Sequence, residues 1–123
     1  MDRKKIGRLE KEISRDFGFL KDRILGIILF GSQLTHDAHE KSDIDVCIVT
    51  GRREVKNIFN SILESRVTSK YDVKIFEKMP LRLKREIIAS GKVVWSRDSY
   101  LLSDYLHIFR KIARDQAISL KNI

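Results

Sequence analysis

The sequence predicts an α/β (α+β) domain, a small mixed sheet with helices packed on it. Three observations point there. Short apolar runs of strand length recur at residues 24–30, 43–50, 71–77 and 92–95. Between and around them, apolar residues return at helical spacing. A chain of 123 residues with 42% hydrophobic content can build one core and has no room for two.

Ile6, Leu9, Ile13, Phe17 and Leu20 recur every three or four residues, which predicts an amphipathic helix over 3–20. ILGIILF (24–30) is isoleucine-rich and reads as a buried strand. Gly31-Ser32 ends it and begins a polar segment to Ser42, with a short helix expected there. DIDVCIVT (43–50) is a second strand, apolar beyond its acidic start. Val55, Ile58, Phe59, Ile62 and Leu63 predict a helix over about 52–66. YDVKIFE (71–77) alternates and reads as a third strand. Pro80 suits a first helical position and Gly91 a position just past a helix end, so 80–90 is helical. KVVW (92–95) is a fourth strand, and Leu102, Tyr105, Leu106, Phe109, Ile112 and Ala113 mark a last helix over about 99–120.

No apolar run approaches the roughly 20 residues of a membrane span, and the N-terminus lacks the apolar segment of a signal peptide. Cys47 stands alone, so no internal disulfide forms, and its apolar strand makes it a small core residue. Both features lead to the expectation of a cytoplasmic protein without membrane association. The net charge of +8 is uneven: residues 1–50 hold nine Lys/Arg and nine Asp/Glu, residues 51–123 sixteen and eight. An acidic site in a basic surface suits a metal-bound polyphosphate. It also suits solvated helix faces, so charge alone selects no function.

The chemistry concentrates around Gly31 to Asp45. On a strand, Asp43 and Asp45 project to one face, roughly 6.5–7 Å apart at Cα. Paired carboxylates at the head of an apolar strand repel one another and resist desolvation, and a cation relieves both costs. Mg²⁺ favours carboxylate oxygens together with substrate phosphates. Asp72 opens another strand, and if that strand pairs beside the first, three carboxylates can hold two metal ions. Gly31-Ser32 follows directly on a buried strand, where a glycine lets backbone approach a phosphate and the hydroxyl adds a donor. Each piece alone is weak, since Gly-Ser is an ordinary turn and Asp-x-Asp is common on surfaces.

The joint pattern is specific: apolar strand, Gly31-Ser32, ten intervening residues, Asp43-Ile44-Asp45 opening a second strand, then Asp72 on a third. It resembles the DNA polymerase beta-like nucleotidyltransferase superfamily over about residues 20–95. The small size and the ending IIASGKVVW resemble the minimal nucleotidyltransferases, many of which are antitoxins paired with a HEPN-type ribonuclease. The resemblance implies a DNA polymerase beta-like nucleotidyltransferase fold, with 1–123 a single domain, its core at about 20–95 and its C-terminal helix at about 99–120. It implies that Gly31 and Ser32 hold the β- and γ-phosphates of ATP and that Asp43 and Asp45 bind two Mg²⁺ ions. Asp72 would bind the catalytic metal and help deprotonate the acceptor hydroxyl. The implied activity is transfer of AMP from ATP to a hydroxyl, a tyrosine of a HEPN-type toxin encoded nearby. Two rivals stand beside it: an antitoxin that neutralises by binding alone, and transfer to RNA or a small molecule.

The chain departs from the family after Gly31-Ser32, where many members carry a basic residue and Ala-Arg-Gly. Here the residues are Gln33, Leu34, Thr35 and His36, so an arginine that would steady the triphosphate is missing. Lys74, on the same strand face as Asp72, either reaches the phosphates or neutralises its surroundings. His36 and His39 without a cysteine partner make a poor zinc site, and His107 reads as an ordinary helix residue. The basic run at 81–85 reads more readily as a solvated helix face than as a nucleic-acid contact. Tyr100, Tyr105, Phe109 and the nearby Trp95 are expected to pack the last helix on its sheet, and its extension into a partner or a homodimer interface is left open. The Arg-x4-His-x-Tyr motif of HEPN ribonucleases is absent from the sequence.

Overall fold

The computed structural model describes residues 3–31 and 44–121, with side chains described as far as residue 112. The polar segment with its expected short helix, and with it Ser32, His36, His39 and Asp43, lies outside the described residues. The elements are α1 (Arg3–Asp16), β1 (Gly26–Phe30), β2 (Ile44–Val49), α2 (Val55–Glu64), β3 (Tyr71–Ile75), α3 (Leu81–Ser90), β4 (Lys92–Ser96) and α4 (Ser99–Lys121). All four expected strands form one sheet in the order β3-β2-β1-β4. β1 runs antiparallel to both β2 and β4, whereas β2 and β3 are parallel, joined by α2 as the crossover.

Helices cover both faces, which is why β1 is buried at every residue and reads as a continuous apolar run. On one face Ile13, Phe17 and Leu20 meet Ile27, Leu29, Val46, Ile48, Ile58 and Ile62. On the other, Ile28, Phe30, Cys47 and Val49 meet Phe76, Ile87, Leu102 and Phe109. The strand alternation is therefore strict: 46 and 48 go to the α1/α2 face, 47 and 49 to the α3/α4 face. Burial, and secondarily the charge of Glu77, pushes the Cys47 thiol up, so it is an inert core residue as its sequence context suggested.

Several predicted boundaries shift. The helix expected over 3–20 ends at Asp16, and Gly18–Leu20 forms a 3-10 turn. Glycine is a poor helix former with no side chain to pack, and the tighter turn still delivers Phe17 and Leu20 to the core. The helix expected from 52 starts at Val55, because Gly51, Arg52 and Glu54 all take positive φ (77°, 69° and 48°). Its predicted stripe is also narrower, since Ile58 and Ile62 are buried while Leu63 is exposed. β3 stops at Ile75, and Phe76–Lys78 is a 3-10 turn leading to Pro80.

Two aromatic assignments change. Tyr100 is 82% exposed and joins no core. Trp95 packs on the α1/α2 face of β4, away from α4, because strand alternation sends it to the opposite side. Tyr105 and Phe109 pack as expected: Phe109 makes edge contacts with Tyr105 and Phe76, and the Tyr105 ring is tilted against Phe76. Lys84 of the basic 81–85 run lies over the Phe109 and Phe76 rings, so part of that run is spent on the fold itself.

Candidate active site

The sheet order brings the acidic residues together. Because β2 and β3 are parallel and in register, Asp45 pairs directly with Asp72, on strands spaced about 4.8 Å apart. Asp45 shares the parity of Cys47 and Val49, and Asp72 that of Lys74 and Phe76, so both carboxylates stand on the α3/α4 face. On the other neighbour of β2, Asp45 pairs with Phe30, the last residue of β1. The N-terminal ends of β2 and β3 and the C-terminal end of β1 thus converge on one spot.

Gly31 closes that spot. It takes a φ of +82°, a left-handed conformation that glycine adopts without strain. A Cβ there would overlap Asp45 Oδ2 and stand 3.0 Å from its Cγ. The glycine of the Gly-Ser pair is therefore required twice, by the turn and by the carboxylate packed against its Cα. Sequence reasoning expected a glycine for close phosphate approach; the contact with Asp45 depends on register and was not legible.

Two like charges directly opposed on neighbouring strands are unfavourable by themselves. Lys74 relieves this in part: its ammonium donates to Asp72 Oδ2 at 3.2 Å. Both side chains are more than a third exposed, so the pair adds little stability. Among the described residues, no group of three or more acidic, histidine or cysteine side chains gathers to hold a metal; Asp43, the third expected ligand, lies outside them. The donors that are described, two adjacent carboxylates with a side-chain-free backbone against one of them, suit a hard divalent cation carrying phosphate ligands.

One neighbourhood escaped the sequence reading. Tyr71, beside Asp72 but pointing to the opposite face, donates its hydroxyl to Asp16 Oδ2 at 2.6 Å. Lys70 bonds Asp16 at 3.3 Å and also Glu12. Asp16, Lys70 and Tyr71, together with Phe19, Arg66 and neighbours, line a cavity of about 410 Å³. The partners are more than 50 residues apart, so no local pattern could have joined them.

This arrangement defines a class. The chain matches the family described as polymerase beta, nucleotidyltransferase, over residues 15–100, and it belongs to that family. It is accordingly a nucleotidyltransferase. It is 42% identical over 93 residues, 76% of this chain and 72% of the relative, to a protein of Methanocaldococcus jannaschii provisionally named a protein adenylyltransferase. Among solved structures it is similar to a toxin–antitoxin complex with AMP-PNP (TM-score 0.59, 20% identity, 92% and 90% of the two chains). It is also similar to a chain of the complex between tri-AMPylated Shewanella oneidensis HEPN toxin and MNT antitoxin (TM-score 0.54, 20% identity, 94% and 90%). At these identities the structural likeness bears on the fold. Among the described residues, no helix is long and apolar enough to cross a membrane.

Proposed function

We propose that this protein transfers AMP from ATP, with Mg²⁺, to a tyrosine hydroxyl of a HEPN-type partner, and acts thereby as its antitoxin. The observation that carries the reading is the in-register Asp45–Asp72 pair with the Gly31 backbone packed against it. The relative named as a protein adenylyltransferase and the neighbouring toxin–antitoxin folds support the acceptor class.

Asp45 and Asp72, together with Asp43, would hold the metal. When bound, Mg²⁺ would supply positive charge that offsets the charge of the triphosphate. The remaining work falls to the chain itself and is positioning and charge neutralisation. Gly31 leaves its backbone open to the β- and γ-phosphates, and Ser32 adds a hydroxyl donor. Asp72, at the open end of β3, would accept the proton of the attacking hydroxyl. Lys74, whose ammonium donates to Asp72 Oδ2, would turn to the phosphates when the nucleotide binds. Pyrophosphate leaves as the acceptor oxygen bonds to the α-phosphorus, in line.

The test is incubation with labelled ATP, Mg²⁺ and a HEPN-type partner, sought first in the neighbouring reading frame. Label should appear on the partner's tyrosine with the native chain and be lost with Asp43→Asn plus Asp45→Asn. Transfer retained by that double variant would overturn the mechanism. Neutralisation of the partner that survives removal of Mg²⁺ would replace it with neutralisation by binding.

A further inference from the structure

Helix α4 buries one stripe and leaves a second uncovered. Leu102 and Phe109, with the half-buried Tyr105 and Leu106, pack on the sheet. About 100° around the helix, Leu101, Ile108 and Ile112 are 55%, 51% and 39% exposed. With Tyr105, which borders both stripes, they fall at spacings of four, three and four, the repeat of a helix–helix seam. Single apolar residues on a surface need no explanation, but an aligned row on one helix marks a contact surface. One flank of the row is Leu102 and Phe109, already inside the core. The other flank is Asp104 and Lys111, both exposed and seven residues apart.

We infer that this row is covered by α4 of a second copy of the chain, running antiparallel about a two-fold axis. The charge pattern selects the occupant and the direction. An antiparallel pair sets Leu101 against the partner's Ile112 and Tyr105 against the partner's Ile108. Flanking positions then meet their own kind, so Asp104 faces the partner's Lys111 and Lys111 faces the partner's Asp104. A parallel pair would set Asp104 towards the partner's Phe109, which is buried in its own core, and would form neither ion pair. At 23 residues, α4 is roughly 34 Å long, enough for the helices to overlap over residues 99–114.

The full chain should sediment as a dimer at micromolar concentration. Ile108→Asp should render it monomeric with an unchanged circular dichroism spectrum, since Ile108 contributes to neither core. Asp104→Lys should weaken the dimer by about tenfold in Kd, and Asp104→Lys combined with Lys111→Asp should restore it. A native chain that stays monomeric, or a double variant no better than the single one, overturns the inference. So does a native monomer whose binding to the HEPN-type partner is lost with Ile108→Asp, which would assign the row to that partner.

Discussion

The Asp45 carboxylate occupies the space that a Cβ on Gly31 would need, with its Cγ 3.0 Å and its own Cβ 3.2 Å from that position. Motif glycine and motif carboxylate are therefore in contact although fourteen positions separate them in sequence. Gly31→Ala should displace the carboxylate and lower AMP transfer about a hundredfold. It should also cost about 1–2 kcal/mol of stability through the left-handed φ. In an Asp45→Ala background the same glycine substitution should destabilise less, because the overlapping atoms are gone. Urea denaturation of the four proteins measures that coupling.

Asp72→Asn tests the register pair from its other side. The amide keeps the shape and removes the charge opposite Asp45, so the fold should be retained or slightly stabilised. Transfer should fall by about two to three orders of magnitude. Single-turnover assays at saturating ATP, compared with thermal melts, separate the two effects.

Tyr71→Phe tests the anchorage of α1 beside the site. The Tyr71 hydrogen bond, then the Lys70 ammonium, hold the Asp16 carboxyl below its ordinary range against an opposing push from burial. Burial and the bond to Asp16 raise the Tyr71 phenol. Losing the bond should cost about 1 kcal/mol at neutral pH. A lowered carboxyl stabilises above the unfolded value, about 3.9, and that contribution fades as pH falls below it. A raised phenol contributes below about pH 10 and is lost as pH rises further. The difference between native and variant stability should thus be widest at pH 5–9 and narrow on both sides, as measured by denaturation across a pH series.

Glu77→Ala should damage the fold without touching the chemistry. The Glu77 carboxylate accepts the backbone N–H groups of Thr50 and Gly51 at 3.1 Å each and the Tyr105 hydroxyl at 2.7 Å. It ties the positive-φ loop after β2 to α4. Removal should cost about 2–3 kcal/mol and lower the melting temperature. Transfer measured well below that temperature should be unchanged, because Thr50 lies about 17 Å along the chain from Asp45.

Sequence periodicity and motif spacing were enough for the strand and helix order, the two-sided burial of β1, the core role of Cys47 and the candidate carboxylates. These depend on neighbours within a few residues, where side-chain period and turn chemistry are local. Tertiary structure decided what depends on strand order and register: that β3 lies parallel beside β2, that Asp72 falls opposite Asp45, and that Gly31 must be bare because of Asp45. It also separated Tyr100 and Trp95 from the α4 stripe, since a strand residue's face is set by alternation and a helix residue's by which side meets the sheet. Pairings such as Tyr71 with Asp16 or Glu77 with Tyr105 join distant segments, and only the packed chain brings those atoms within hydrogen-bonding distance.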